Sequence, residues 1–314
     1  MPKIHKTRPL FFIEAIIITT FFMTLALFML FPLPGKSAAS AARLTAENAS
    51  ILRQMLDSNV DSEDFSVPTD VVNTEVEALF APYAAKRIGM SYIDLTDGSH
   101  AGLNEDSVFV AASTIKVPLV MLVADLADKG QLDLDSEITY DPVDHEDGTG
   151  LLHNHNPRGS YKISYLCEIA IKYSDNIAKN MLFRMLGDAD PEHHDEVIKM
   201  MYNRFLGTEP PASGNSITPR DAALFLQYLY QNRDKPDFAV IIENMKNTQF
   251  HNRLETPLTK GLIAHKIGSN AGYNNDIAIV EGDHPYVLTF YSYVDKNYLT
   301  DMASISNSVF NEEK

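Results

Sequence analysis

The chain has 314 residues, of which 45% are hydrophobic and 22% charged, a globular composition sufficient for one compact unit with an appendage. A formal net charge of -16 makes nucleic acids and anionic lipid headgroups unfavourable partners, because phosphates are bound by clustered Lys and Arg. The single cysteine, Cys167, excludes an internal disulfide and a cysteine-based metal site.

The first predicted element is a membrane-spanning helix at residues 10–33, where Glu14 is the only charged residue. About 20 apolar residues cross a bilayer, so this run is long enough. The positive-inside tendency places the N-terminus in the cytoplasm and the rest of the chain outside, because three basic residues precede the run: Lys3, Lys6 and Arg8. A cleaved signal peptide ending near Ala41 is the alternative, but the apolar run is longer than a usual signal core.

Residues 1–34 are therefore assigned to a cytoplasmic tip and membrane anchor, and residues 35–71 to a stalk or linker. Residues 72–314 are predicted to form the folded domain. This domain opens with a short helix and continues with two strand-like runs around Asp97-Gly98, a turn signal that predicts a hairpin.

The hairpin leads into residues 109–129, which contain Ser113 and Lys116 three positions apart. On a helix this spacing stacks the two side chains one turn apart, so the amine can reach the hydroxyl. The residues that follow are apolar on nearly every side, which predicts a buried helix. Burial disfavours a charged lysine, so the pair has the chemistry of a nucleophile beside its base.

A helical middle and a group of strands complete the predicted domain. Apolar residues at helical spacing lie on both sides of Ser174-Asp175-Asn176, and another helix is predicted at residues 191–205. Thr218-Pro219 has the form of a helix N-cap followed by proline at the first helical position. Strands are predicted between residues 261 and 294, and a last helix from about residue 299.

Three short motifs stand in order along the domain: Ser113-Thr114-Ile115-Lys116, Ser174-Asp175-Asn176 and Lys266-Ile267-Gly268. Together they resemble the SxxK, SDN and KTG set of class A β-lactamases and penicillin-binding proteins, and the resemblance extends from about residue 75 to the end. It implies an α+β fold in which a five-stranded antiparallel sheet with flanking helices packs against an all-helical subdomain. The α/β part would comprise residues 72–118 and 215–314, and the helical part residues 119–214.

The resemblance also implies the roles of a serine hydrolase that forms an acyl-enzyme. Ser113 would be the nucleophile and Lys116 the nearby base. Ser174 resembles the proton-shuttling hydroxyl and Asn176 the amide that holds the substrate carbonyl. Lys266 resembles the cation that attracts a substrate carboxylate.

Gly268 and Ser269 are assigned by the same resemblance to substrate and oxyanion binding. The backbone N–H groups of Ser113 and Ser269 would form the oxyanion hole, worth about 3 kcal/mol per donor in other systems. Each motif also has a purely structural alternative: a capped helix break at Ser174-Asp175-Asn176, a solvated strand residue at Lys266 and a bulge at Gly268.

Two features depart from the family pattern. Ile267 replaces the middle hydroxyl of KTG, and Ser269, two residues further on the same strand face, is the expected substitute. The Glu-x-x-Leu-Asn loop of class A β-lactamases, whose glutamate positions the deacylating water, is missing. Its region holds only Glu209, which is interpreted as a surface-loop residue with a deacylating role left open. Slow deacylation would favour a penicillin-binding or peptidase relative over an efficient β-lactamase.

The histidines raise a metal hypothesis. The polar stretch between the helices contains six residues of ligand type: Asp144, His145, Glu146, Asp147, His153 and His155. Such loop residues are usually solvated, so no metal is predicted, and no organic cofactor is predicted either. His265 is expected to face away from Lys266 on a regular strand and is assigned no role.

The sequence therefore predicts a membrane-anchored, extracytoplasmic serine hydrolase with weak β-lactamase activity. Its substrate would be a β-lactam or a D-Ala-D-Ala-type peptidoglycan stem peptide. A non-catalytic cell-wall or β-lactam sensor on the same fold remains the alternative, because Ile267 and the missing glutamate motif would suit such a module.

Overall fold

The computed structural model describes residues 69–154, 157–187, 194–293 and 298–314. Its central element is a five-stranded antiparallel sheet with the strand order β2-β1-β9-β8-β7. The strands are β1 (Ile88–Asp94), β2 (His100–Leu103), β7 (Ile263–Asn270), β8 (Tyr273–Val280) and β9 (Tyr286–Ser292). The five-stranded antiparallel sheet implied by the sequence motifs is thus confirmed.

The predicted hairpin is present between β1 and β2. Asp94 accepts hydrogen bonds from the backbone of Thr96 and Asp97, and Gly98 turns the chain with a φ of 78°. Every residue of β1 is buried, because helices cover both faces of this sheet. The strand pattern is therefore continuous rather than alternating.

Two sets of helices cover the sheet. On one face lie helix α1 (Thr74–Phe80) and helix α9 (Leu299–Glu312), which bury their apolar residues together with those of the sheet. On the other face, helix α7 (Pro219–Gln231) packs on β1 and β9, and the Thr289 hydroxyl donates to the Pro219 carbonyl at 3.0 Å. Thr218 caps α7 by accepting from the Asp221 N–H, as its sequence predicts.

The helical part surrounds one buried helix, α2 (Lys116–Asp128), whose residues are inaccessible from Lys116 to Leu126. This burial was expected from its all-round apolar sequence and is confirmed. The other helices of this part are α3 (Leu151–Asn154), α4 (Ile163–Lys172), α5 (Asn176–Met185), α6 (Asp195–Phe205) and α8 (Pro236–Lys246).

The structure adds three features to the predicted elements. The chain from residue 109 begins as strand β3 (Phe109–Val110) paired with β6 (Ser216–Ile217), and α2 starts only at Lys116. A second small pair joins β4 (Glu137–Thr139) and β5 (Ser160–Lys162). Helix α8 was missed, although Pro236 at its first position and apolar residues at helical spacing mark it in the sequence.

The N-terminal predictions fall on residues 1–68, which lie outside the described residues. Across the part of the chain that the structure describes, no helix combines the length and apolar character needed for a bilayer span. The anchor at residues 10–33 and the domain boundaries thus stay predictions. The start of the helix predicted at residues 191–205 also lies outside, and its described part is α6.

Candidate active site

Ser113 lies in a tight 3-10 turn, Ala112–Ile115, which runs directly into α2. Side chains three residues apart are eclipsed in a 3-10 turn, so Lys116 stands directly beside Ser113. Its Nζ donates to the Ser113 Oγ at 3.1 Å. Ala112 enters this turn with a φ of 51°, a strained value for a residue with a side chain. The local fold therefore presents the hydroxyl to its amine neighbour.

The Lys116 amine is buried in a shell of oxygen atoms, with only 1% of the residue exposed. It donates to the Ser174 carbonyl at 2.6 Å, to the Ser174 Oγ at 3.2 Å and to the Asn176 Oδ1 at 2.8 Å. Burial, and then the positive charge of Lys266, hold the pKa of Lys116 well below its ordinary value. A neutral Lys116 can accept a proton from Ser113.

The segment Ser174-Asp175-Asn176 connects α4 to α5. It is the capped helix break of the structural alternative, and it also places Ser174 and Asn176 beside Lys116. Asp175 caps α5 by accepting from the Ala178 N–H at 2.8 Å and also accepts from the Leu152 N–H. Ser174 adopts a left-handed φ of 53°, which turns its hydroxyl toward the two lysines. The capped break is therefore the device that positions Ser174 and Asn176.

Lys266 reaches the same hydroxyl from β7. Its Nζ donates to the Ser174 Oγ at 2.9 Å and to the Ile267 carbonyl at 3.0 Å, and the residue is fully buried. The pKa of Lys266 is lowered to about 7, mainly by burial; the charge of Asp276 opposes this shift and the charge of Arg253 adds to it. Lys266 is thus not the solvated strand residue of the structural alternative. The Ser174 hydroxyl links the two amines.

Gly268 allows β7 to pack closely against the turn Ala112–Ile115, which carries Ser113. A Cβ on this residue would lie 2.7 Å from the Ala111 carbonyl oxygen, so only glycine allows the approach. Gly268 pairs with Asn275 in an unbroken register, and the alternative of a bulge is wrong. Ser269, the next residue, is exposed at the open end of the strand.

Arg253 is a residue at this site that the sequence reasoning missed. It is buried in the segment between α8 and β7, and its guanidinium donates to the Gly268 carbonyl at 2.6 Å, to the Asn275 carbonyl and to the Ser269 hydroxyl. No motif surrounds it, and only the folded chain brings it to Ser269. Arg253 therefore adds a cation next to the residue expected to replace the missing KTG hydroxyl.

The loop at residues 206–215 lies next to the turn Ala112–Ile115. Asn215 holds it there, because its carbonyl accepts from the Ala111 N–H at 2.9 Å and its side chain donates to the Ala112 carbonyl at 3.1 Å. Glu209 is exposed and forms a 3.1 Å ion pair with Lys199. This placement agrees with the surface interpretation of Glu209.

The residues considered as metal ligands in the sequence are divided among other contacts. Asp144 pairs with Arg184, and Glu146 pairs with Lys179. The remaining described members form an exposed group around the Asp147 carboxylate, with nitrogen-to-oxygen distances of 3.4 Å from His145 and 3.6 Å from His153. His155 lies outside the described residues.

The comparisons with known proteins fit this geometry. A family profile described as the beta-lactamase enzyme family matches residues 71–312. The chain belongs to this family. With its serine and lysine on one buried turn, this β-lactamase-family protein is a serine hydrolase of the β-lactamase type.

The relatives of this β-lactamase-family protein are distant. Beta-lactamase VEB-1 of Pseudomonas aeruginosa is 26% identical over 231 residues, which are 68% of this chain and 77% of that protein. Beta-lactamase ROB-1 of Haemophilus influenzae is 30% identical over 210 residues, or 62% of this chain and 67% of the relative.

Solved structures share the fold. The structure of PBP-A superposes with a TM-score of 0.66 at 23% identity, covering 78% of this chain and 97% of PBP-A. A beta-lactamase from Sphaerobacter thermophilus superposes with a TM-score of 0.62 at 25% identity, covering 76% of this chain and 95% of the other. The α+β architecture inferred from the three motifs is that of the family.

Proposed function

We propose that this enzyme acylates Ser113 with β-lactams or D-Ala-D-Ala-type amides and releases the acyl group slowly. The observation that carries the proposal is the buried amine of Lys116, 3.1 Å from the Ser113 hydroxyl and joined through Ser174 to Lys266. This arrangement supplies a nucleophile, a base and a proton relay in one connected set.

Acylation would proceed in two steps. The Ser113 oxygen attacks the amide carbonyl while its proton passes to the neutral Lys116 amine, and backbone N–H groups of Ser113 and Ser269 stabilise the oxyanion. The carbon–nitrogen bond then breaks, and the leaving nitrogen receives the proton that Lys116 took up, relayed through the Ser174 hydroxyl. Asn176 holds Lys116 and would also orient the substrate amide.

Lys266, Arg253 and Ser269 would bind the substrate carboxylate. A bound carboxylate favours the protonated form of Lys266, so Lys266 would be an ammonium while the anion is bound. The Arg253 guanidinium already contacts the Ser269 hydroxyl and would supply a second cation. This set replaces the hydroxyl that Ile267 lacks.

Slow deacylation follows from the loop at residues 206–215. Its sequence lacks the Glu-x-x-Leu-Asn motif, and its Glu209 is engaged on the surface with Lys199. A protein of related fold, a mutant of PBP-A, has been solved as an acyl-enzyme complex with penicillin G. We therefore favour a penicillin-binding enzyme with weak β-lactamase activity over an efficient β-lactamase.

The location that we propose is the outer face of a cell membrane. Residues 10–33 would anchor the chain with its N-terminus inside and the hydrolase domain outside, and cleavage near Ala41 would instead release it. The partners would then be the membrane, through the anchor, and a β-lactam or peptidoglycan stem peptide.

Fluorescent penicillin tests the proposal directly. The full chain should carry one covalent adduct, and mass spectrometry of its peptides should place that adduct on Ser113. Ser113→Ala should carry none, whereas Ser107→Ala, an exposed serine before β3, should be labelled like the wild type. Absence of label in the wild type, or equal label in Ser113→Ala, would contradict the proposal and favour the non-catalytic sensor.

Turnover distinguishes the two enzymatic hypotheses. With a chromogenic cephalosporin, a burst of about one equivalent followed by slow hydrolysis is expected, because acylation is fast and the deacylating glutamate is missing. Release of D-alanine from a D-Ala-D-Ala peptide should be measured in parallel. Rapid multiple turnover of the cephalosporin would contradict slow deacylation while leaving Ser113 as the nucleophile.

A further inference from the structure

A second cluster of chemically active side chains lies on the other face of β7. His265 follows Ala264 and precedes Lys266, and its side chain points away from the catalytic cleft. Its neighbours are His251 and Glu255 from the segment before the strand. The three potential ligand atoms all lie within 4.8 Å of one another, and none of these residues is used by the proposed acyl transfer.

His265 is held in one orientation by a buried carboxylate. Its Nδ1 is 3.0 and 3.1 Å from the two oxygens of Asp276, and both residues are fully buried. Asp276 is fixed in turn by the Leu254 N–H, which donates to it at 3.0 Å. When the Nδ1 of a histidine is hydrogen-bonded to a carboxylate, its Nε2 can bind a metal ion. Many zinc-binding histidines are oriented in this way.

The Nε2 of His265 faces the other two members of the cluster. It is buried, lies 3.4 Å from the Glu255 Oε2, and makes no well-directed hydrogen bond to any of the described residues. The same carboxylate oxygen contacts the His251 Nδ1. A buried polar nitrogen without a hydrogen bond costs free energy, and a cation placed between these three atoms would remove that cost.

The donor set fits zinc, and so does the separation between two of the three ligand atoms. Two imidazole nitrogens and one carboxylate are the ligands of three-residue zinc sites, with bond lengths of about 2.0–2.2 Å. A tetrahedral arrangement at those lengths separates neighbouring ligand atoms by about 3.4 Å, which is the observed separation between His265 and Glu255. The side chain of His251 is 51% exposed, so the fourth position would be open to water.

We propose that His251, Glu255 and His265 bind one Zn²⁺ ion behind the catalytic cleft, with Asp276 orienting His265. The ion would join the segment before β7 to the strand itself. Arg253 lies between two of the ligands in the sequence and projects to Ser269 in the cleft. Bound zinc would therefore fix the position of Arg253 without contacting the substrate.

Metal binding by the full chain in detergent tests the site. After removal of bound metal with a chelator, the protein is dialysed against Zn²⁺ and the zinc retained per chain is measured by mass spectrometry. One equivalent is expected, and Co²⁺ in its place should give the intense visible absorption of a four-coordinate site with nitrogen ligands. Zinc should also raise the Tm, because it binds the folded chain.

Two variants and one matched control complete the experiment. His251→Ala, at an exposed position, should remove stoichiometric zinc and the cobalt spectrum, and Asp276→Asn should weaken binding by about 10–100-fold. His153→Ala, in the exposed group around Asp147, should bind zinc like the wild type. The proposal is overturned if the wild type retains no stoichiometric zinc, if His251→Ala retains it, or if His153→Ala loses it.

Discussion

At the scale of single residues, the proposed chemistry of this enzyme depends on two buried lysines. The amines of Lys116 and Lys266 both donate to the Ser174 hydroxyl, at 3.2 and 2.9 Å. Burial lowers the pKa of both amines, and the positive charge of Lys266 lowers that of Lys116 further. A lysine with a lowered pKa can act as a base, whereas a lysine on the surface stays a cation.

The first prediction concerns the pH dependence of acylation. Because the pKa of Lys116 is lowered, the neutral amine is available well below pH 10.5, and the acylation rate should fall as decreasing pH protonates it. Lys116→Ala should lower the rate constant by about 10²–10⁴-fold and remove this acid limb. The measurement is stopped-flow or quenched labelling with fluorescent penicillin across pH.

A lysine outside the cleft provides the control for this experiment. Lys199 is paired with Glu209 on the surface, so Lys199→Ala should keep the wild-type rate and profile. If Lys116→Ala kept the same acid limb, another group would have to be the base that activates Ser113.

The second prediction concerns stability. A lysine with a lowered pKa binds fewer protons in the folded than in the unfolded chain, so the free energy of unfolding should rise with pH up to about pH 10.5. Lys116→Met, which removes the titrating amine, should reduce this rise, whose slope is at most about 1.4 kcal/mol per pH unit for one group. Urea unfolding of both proteins at several pH values measures it, and parallel pH dependences would contradict a neutral Lys116.

At the scale of elements, strand β7 carries chemically active side chains on both of its faces. Lys266 and Gly268 face the turn Ala112–Ile115, whereas His265 lies on the opposite side of the strand, next to Glu255. The alternation of a regular strand makes this division possible. The segment before β7 contributes to both sides of the strand. Arg253 contacts Ser269, and Glu255, two residues later, contacts His265.

The third prediction concerns Arg253. Arg253→Ala should lower acylation efficiency by about 10–100-fold for a β-lactam that carries the usual carboxylate, since charged hydrogen bonds are worth about 1.5–3 kcal/mol. An ester of the same compound should lose far less. Arg233→Ala provides the control, because Arg233 lies outside the cleft against Tyr230. Equal losses with acid and ester would indicate that Arg253 supports structure rather than carboxylate binding.

The limits of sequence reasoning are visible in this same strand. The motif order predicted Ser113, Lys116, Ser174, Asn176 and Lys266, and the structure brings all five side chains together. These residues stand in short motifs whose spacing carries the geometry. Arg253 and Asn215 do not, because they reach the site through loops whose course depends on tertiary packing. His265 was assigned no role because it was expected to face away from Lys266; its partners on that face, Asp276 and Glu255, are close to it only in the folded chain.

At the scale of the whole molecule, the enzyme combines a predicted anchor with a hydrolase domain that matches its family over residues 71–312. The described part of this domain has a polar site at the junction of a sheet and a buried helix. An extracytoplasmic location would place that site where β-lactams and peptidoglycan stem peptides are found. The anchor would therefore determine which substrates the enzyme meets.

The fourth prediction tests whether the anchor is retained. Phe21→Asp together with Phe22→Asp should move the full chain out of the membrane fraction, because each central charge costs about 2.5–3.5 kcal/mol of insertion free energy. Ala41→Asp alters the small residue required for signal cleavage, so it should leave size and location unchanged if residues 10–33 are an anchor. Immunoblots of membrane, soluble and culture fractions measure both. A wild-type chain shortened by about 41 residues in the culture fluid, with full length restored by Ala41→Asp, would establish a cleaved signal peptide.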